Sequence, residues 1–466
     1  MFEPTIGLEI HIQLQTNSKM FCSCKNSYGD PPNTNICPVC LGHPGTLPVL
    51  NWEAVKLATK LALALNCRIN KESYFARKNY FYPDLPKGYQ ITQYKKPLAE
   101  DGYIQLKNGK KIRIKRLHIE EDSGKSIHTE NGTLIDFNRC GVPLAEIVTE
   151  PDISSPEEAV EFLHALRKIA IYTGVSDADM EKGNMRCDAN LSLKPEGSSE
   201  LGTKTEVKNL NSFRFLAKAL NYEIKRQEKL LKEGKRIVQE TRGFDSKRGE
   251  TFPMRSKEEA HDYRYFPEPD LPPLILDNSF LEEIKSSIPE LHWQREERFM
   301  REFGLDEETA SVLCAEKEIG DFFEETLKLY NNPRDLANWI KTEVLKLWKE
   351  NLMVSSEALA ELLTFVDQGK LSRLKAKEVL EDMARTGKSP SIIIEEKGLV
   401  QISDEESLRK IIDRVIAQNP DKVEKYRKGK KGLMGFFVGQ VMKETRGKAN
   451  PKLVNKILVE VLENDK

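Results

Sequence analysis

Thr5-Ile6-Gly7-Leu8-Glu9-Ile10-His11-Ile12-Gln13-Leu14-Gln15-Thr16 decides the fold class. Ile6, Leu8, Ile10, Ile12 and Leu14 fall on one side of a period of two. Gly7, Glu9, His11, Gln13 and Gln15 fall on the other. Successive side chains of a strand point to opposite faces, so this segment reads as a half-buried β-strand. Residues 1–150 as a whole read as mainly strands.

Helices follow. Ser155-Pro156-Glu157-Glu158 is a capping box with proline at the first helical position. It opens a helix carrying Phe162, Leu166, Ile169 and Ala170, which Gly174 ends. Met185–Leu193 alternates again as a strand, and Asn211-Ser212 opens a helix running toward Gly234. Strands with helices laid on them predict an α+β domain. Phe266–Pro273 and Ser286–Pro289 read as boundaries. Beyond them the pattern is helical over Asp306–Ala315, Pro333–Glu350, Ser355–Gln368 and Arg373–Thr386. A second capping box, Ser403-Asp404-Glu405-Glu406, opens a small helical tail. A chain of 466 residues is too long for one core. The division expected is 1–293, 294–402 and 403–466.

Lys+Arg (72) and Asp+Glu (73) nearly cancel, so any nucleic-acid surface is a local patch. Charged residues reach 31%, above the usual share of about 25%, in keeping with ion-pair networks of a heat-adapted protein. The chain opens Met1-Phe2-Glu3-Pro4 without a secretory signal and holds no apolar run of transmembrane length. A cytoplasmic location is expected, with neither membrane nor DNA as a partner. Its eight cysteines are then thiols or metal ligands rather than disulfides.

Cys22-x-Cys24, twelve residues and Cys37-x-x-Cys40 have the spacing of a four-thiolate structural zinc site. Gly29, Pro31, Pro32 and Pro38 supply the turns. A closed four-cysteine site has no open position, so it is assigned structure and not chemistry. The alternative is four unrelated buried thiols.

Glu9 and His11 share the polar face of the first strand, which alone also suits a face turned to water. Glu146 falls on the face of Leu144 and Val148, and Glu121 on the face of Leu117 and Ile119. A carboxylate on an apolar face costs several kcal/mol unless a cation or donor meets it. Magnesium is such a cation: it takes oxygen ligands and binds substrate phosphates. Arg186, Asp188, Asn190 and Ser192 form a further polar face. Asp188 suits a second ion, and Arg186 and Asn190 are the nucleotide-binding candidates. A solvated or ion-paired face is the competing reading. Gly124-Lys125-Ser126 is not a P-loop, since Ile119 stands where its first glycine belongs. There is no Gly-x-Ser-x-Gly elbow and no serine-rich amidase run, so no nucleophile for glutamine hydrolysis is found.

Leu134-Ile135-Asp136-Phe137-Asn138-Arg139-Cys140-Gly141-Val142-Pro143-Leu144-Ala145-Glu146-Ile147 resembles the signature segment of the GatB family, the B subunits of aspartyl/glutamyl-tRNA amidotransferases. So do Ile6–His11, Arg77–Asp84, His118–Asp122, Arg186–Asn190 and Asp262–Asp270. The resemblance runs from end to end. It implies a glutamine synthetase-like, mainly antiparallel cradle domain, an all-α helical domain and a YqeY-like tail. It implies ATP and Mg2+ as cofactors beside structural Zn2+. The partners implied are an amidase (A) subunit, a small C subunit, and tRNA(Gln) and/or tRNA(Asn). The activity implied is ATP-dependent phosphorylation of the side-chain carboxylate of Glu or Asp on a mischarged tRNA, then displacement of phosphate by ammonia freed from glutamine. By similarity Glu9, His11, Glu121 and Glu146 are metal ligands and Asp188 a further acidic site residue. Lys78 and Lys87 match positions near the ammonia exit and the acceptor end.

Residues 425–456 hold ten Lys/Arg against one acid, Glu444. Lys428, Lys430, Lys431, Lys443, Arg446 and Lys448 are the tRNA-binding candidates, as cations for backbone phosphates. Leu433, Met434, Phe436, Phe437, Val438, Val441 and Met442 read as helix core rather than a stacking platform. Two other readings compete. A glutamine synthetase-like ligase acting on a free small molecule would need the metal ring but not the basic tail. A tRNA-binding accessory protein would need the tail but not the ring.

Overall fold

The alternating opening segment forms strand β1 (Phe2–Gln13), with Ile6, Ile10 and Ile12 fully buried. The computed structural model describes residues 2–254, 263–399, 405–445 and 449–464. β1 lies in the middle of a nine-stranded sheet. The other strands are β2 (Arg68–Ile69), β3 (Ala99–Gln105), β4 (Lys111–Glu121), β5 (Pro143–Thr149), β6 (Met185–Pro195), β7 (Thr205–Lys208), β8 (Thr241–Asp245) and β9 (Glu250–Pro253). The spatial order is β9-β8-β7-β6-β1-β5-β4-β3-β2. Every neighbouring pair is antiparallel except β7 with β8. Parallel neighbours need a crossover, and here a helix supplies it.

Helices of this part of the chain include α1 (Trp52–Ala64), α2 (Pro156–Tyr172) and α3 (Phe213–Lys232), the crossover between β7 and β8. Ser155 accepts from the Glu158 N–H, and Ser212 from the Phe215 N–H, as capping predicts. Such a cap contributes about 1 kcal/mol. Gly174, just past α2, has φ +68°, a left-handed turn that favours glycine. The expectation of mainly strands before residue 150 passes over α1. Asn51 caps it, and Ala54, Val55, Ala58, Leu61 and Ala62 form its buried stripe at helical spacing.

Phe266–Pro273 is not a boundary. Phe266–Pro267 pairs with Ala76–Asn79, which pairs with Tyr89–Thr92, in a small three-stranded sheet. Glu268 anchors the segment, accepting from Arg77 Nε at 2.7 Å. The chain divides instead into units Met1–His292 and Trp293–Lys466.

The second unit is helical throughout its described residues. Helices occupy Glu307–Leu313, Pro333–Trp339, Ser356–Asp367 and Arg373–Thr386, close to the sequence reading. A π-helical turn at Ile340–Val344 interrupts the segment read as one helix over Pro333–Glu350. Two hydrophobic clusters form, one drawn from Phe299 to Ile394 and one from Leu408 to Leu462. Ser403 and Asp404 of the second capping box lie outside the described residues, as does the 402/403 boundary. No described helix is long and apolar enough to cross a membrane.

Candidate active site

Directly paired residues of antiparallel strands share a face. In β1 and β5, His11 pairs with Glu146; in β5 and β4, Glu146 pairs with His118 and Leu144 with Glu120. The register therefore gathers Glu9, His11, Glu146, His118 and Glu120 on one face of three adjacent strands. His11 Nε2 lies 3.3 Å from Glu120 Oε1 and 3.3 Å from Glu146 Oε2. His118 Nε2 lies 3.5 Å from Glu120 Oε2 and 3.3 Å from Glu146 Oε2. The four side chains alternate in a ring. Ligand atoms of Glu9, His11 and Glu146 lie within 4.8 Å of one another, as do those of His118, Glu120 and Glu146.

The electrostatics show a site built for positive charge. Burial alone would discharge His11, but hydrogen bonds to Glu120 and Glu146 outweigh it and raise its pKa to about 10. His118 is raised against burial by the same two carboxylates. Burial opposes charge on Glu146, yet His118 and His11 hold it well below the usual carboxylate range. Glu9 goes the other way: burial, then repulsion from Glu146, raises it. Three carboxylates thus converge in a mostly buried place with only imidazoles between them. His118 Nδ1 is buried without a hydrogen-bond partner. Oxygen donors with surplus negative charge fit a hard divalent cation.

Sequence reasoning put Glu121 in this ring, and the structure does not. Glu121 follows Glu120 in the strand and points to the opposite face, with Leu117 and Ile119. There it pairs with Lys87 and accepts from the Ile91 N–H at 2.9 Å. Glu120 takes its place, accepting from the Thr92 hydroxyl at 2.9 Å. His118 was missed as well. The signal was present in the paired patterns Glu9-x-His11 and His118-x-Glu120, which register later brings together.

The other predicted residues surround the ring. Lys78 sits over the Tyr263 ring at 4.8 Å and the Tyr80 ring at 5.9 Å. Burial opposes its charge, but Glu120, Tyr265 and Glu146 raise its pKa above the ordinary lysine value. Among the described residues its ammonium has no carboxylate at ion-pair distance. Asp188 pairs with Glu9 across the strands and is bound by Lys208 Nζ at 2.7 Å, outside the ring. Arg186 donates to Asp122 Oδ2 at 2.7 Å. Asn190, opposite Gly7, lines a cavity of about 450 Å³ with Thr5, Glu9, Ser192 and Lys204.

On the other face, the sulfurs of Cys22, Cys24, Cys37 and Cys40 lie within 4.8 Å of one another. Four thiolates so gathered fit the tetrahedral ligand set of zinc. A cavity of about 90 Å³ separates them from Lys87 and Glu121.

In the second unit, Lys430 and Lys443 are exposed, Lys431 binds Glu463 at 2.7 Å and Lys428 pairs with Glu424. Arg446 and Lys448 lie outside the described residues. Phe437 and Val441 are fully buried, and Leu433, Met434, Phe436, Val438 and Met442 pack against their cluster, as core.

Comparison with known proteins adds a second line of evidence. Residues 4–282 match the family described as the GatB/GatE catalytic domain, and residues 321–462 match one described as the GatB domain. The chain is 57% identical over 471 residues, 99% of each chain, to a Persephonella marina protein named as the B subunit of aspartyl/glutamyl-tRNA(Asn/Gln) amidotransferase. Proteins of the same name from Thermodesulfovibrio yellowstonii and Thermotoga maritima are 54% and 52% identical, covering 99% and 100% of each chain.

Proposed function

The chain belongs to the GatB family, as the B subunit of an Asp/Glu-tRNA(Asn/Gln) amidotransferase, and we propose that it carries that enzyme's ATP-dependent step at the ring formed by β1, β4 and β5. The enzyme is a glutamine-dependent ligase (EC 6.3.5.-) that transamidates misacylated tRNAs. The observation that carries the assignment of the step is the convergence of Glu9, Glu120 and Glu146 with His11 beside a cavity of about 450 Å³. That volume is within the roughly 300–1,000 Å³ of small-molecule sites.

In the reaction read here, the γ-phosphoryl group of ATP passes to the side-chain carboxylate of Glu or Asp esterified to tRNA, and ADP leaves. The lone pair of ammonia then attacks the acyl carbon. The bond from carbon to the phosphate oxygen breaks, and phosphate departs with the surplus proton. Magnesium held by Glu9, Glu120 and Glu146, with His11 beside them, would supply charge neutralisation at the triphosphate. Asn190 and the backbone at Gly7 border the cavity proposed for the nucleotide. Asp188 stands behind Glu9, and Arg186 fixes Asp122 at the site's edge. Lys78 offers ammonium donors to an incoming carboxylate or phosphate. The tyrosine rings beneath it keep water from an intermediate that water would hydrolyse. Lys87 and Glu121, on the other face, belong to the amide-forming half of the reaction.

The same reading gives the chain an amidase subunit and a small C subunit as partners, a cytoplasmic location and structural zinc at the four cysteines. It reads the sheet unit as glutamine synthetase-like and the tail as YqeY-like, with Lys428, Lys430, Lys431, Lys443, Arg446 and Lys448 toward tRNA phosphates. Reconstitution with both partners tests it, by measuring ATP cleavage with Glu-tRNA(Gln), with Asp-tRNA(Asn) and with free glutamate. Cleavage that depends on a mischarged tRNA is expected. Equal cleavage with free glutamate favours a small-molecule ligase, and none with any acceptor sinks the assignment.

A further inference from the structure

The cysteine knuckle is stitched to the turn that leads into β5. The Asn35 N–H donates to Asn138 Oδ1 at 2.8 Å, Asn138 Nδ2 donates to Pro31 O at 2.7 Å, and Cys140 Sγ donates to Cys40 O at 3.3 Å. Lys19, a fully buried lysine, draws these pieces together. Its ammonium donates to Asn35 O at 2.7 Å, Phe137 O at 3.3 Å and Cys40 Sγ at 3.7 Å. An isolated ammonium is costly to bury, so a buried lysine spent on two carbonyls and a sulfur marks a place where positive charge is needed. Four thiolates around a dication leave net negative charge, which an N–H···S contact from a cation offsets.

The far side of the knuckle touches Lys87. The Leu41, Gly42 and His43 N–H groups donate back to Cys37, Val39 and Pro38 carbonyls at 3.1, 3.1 and 2.9 Å, so the cysteine turn sets the path of Gly42. Gly42 has φ +69°, and a Cβ there would stand 2.6 Å from Lys87 Cγ and 3.0 Å from Lys87 Cα. The backbone of the knuckle therefore lies flat against Lys87, whose side chain is 8% exposed and pairs with Glu121.

We propose that the zinc knuckle is a clamp that holds Lys87 on Glu121, with Gly42 as its contact and Lys19 as the positioning residue that seats it against the sheet. The metal site then acts on the amide-forming half of the reaction, although it touches no substrate. This last consequence rests on the function proposed above; the clamp itself does not.

Gly45 provides an internal control. It shares the left-handed backbone, with φ +83°, but a Cβ there meets nothing within 4 Å. The full-length chain is treated with a small amine-acylating reagent, and labelling is read by peptide mass spectrometry, with Lys208 as the reference. Gly42→Ala and removal of zinc by chelation should each raise Lys87 labelling about tenfold over Lys208, while Gly45→Ala leaves it at the native level. Lys19→Met should speed zinc release to a chromogenic chelator by about tenfold or more. Native labelling of Lys87 in either the Gly42→Ala or the zinc-stripped chain, with circular dichroism unchanged, overturns the clamp. So does a rise shared equally by Lys208, which reports global opening. If Gly42→Ala does not fold, the stripped native chain decides. In the reconstituted enzyme, Gly42→Ala should lower amide formed per ATP cleaved and Gly45→Ala should not. Absence of acceptor-dependent ATP cleavage in the unmutated enzyme would instead remove the functional reading and leave the labelling result standing.

Discussion

Glu120 and Glu121 are neighbours in sequence and belong to different sites. Glu120 faces His11 and His118, in a ring where Glu9 and Glu146 add further carboxylates. Glu121 faces Lys87, which already neutralises it, beside the cysteine knuckle. The difference teaches that one acidic run on a strand can serve two purposes, because period two sends alternate carboxylates through opposite faces of a sheet. A carboxylate with a lysine partner needs no cation. Three carboxylates sharing two imidazoles leave one over, and a cation suits that excess.

The comparison breaks most sharply at Glu146, which contacts both histidines of the ring. Glu146→Ala should lower product formation in the reconstituted enzyme by at least about 10³-fold. Activity within tenfold of the native enzyme would mean that the ring is structural. The adjacent pair sharpens the contrast. Glu120→Gln should cut acceptor-dependent ATP cleavage by about 10²-fold or more, and Glu121→Gln by less than about tenfold while amide formation falls further. Equal losses of ATP cleavage in the two variants would erase the distinction between faces.

Cys37→Ser tests the second face through its scaffold. Elemental analysis should show loss of the zinc found in the native chain, and a metal-free native chain would remove the knuckle from the account. The smallest effect is expected in the helical unit. Lys430→Glu with Lys443→Glu should weaken tRNA binding and flatten its salt dependence by about one to two in log–log slope, leaving the rate at saturating tRNA unchanged. An unchanged slope would release those lysines from any phosphate contact.

Much of the fold was legible because its signals are local. The β1 alternation, the serines that cap α2 and α3, and the Arg373–Thr386 helix each depend on residues within a turn or two of one another. The four cysteines were legible for the same reason. Register was not. Whether Glu120 or Glu121 meets Glu146 depends on how β4 slides against β5, and a slip of one residue exchanges the faces. Nor did the sequence show that Phe266–Pro267 returns to pair with Ala76–Asn79, since that contact closes a long loop. The partners of Asp188 and Arg186 were hidden likewise, because Lys208 and Asp122 arrive from other strands.

Manganese binding, followed by electron paramagnetic resonance in the presence of a non-hydrolysable ATP analogue, addresses the central claim most directly. Tight binding to the native chain should be lost in Glu120→Gln and kept in Glu121→Gln. Tight manganese binding that survives Glu120→Gln, or disappears with Glu121→Gln, would contradict the account.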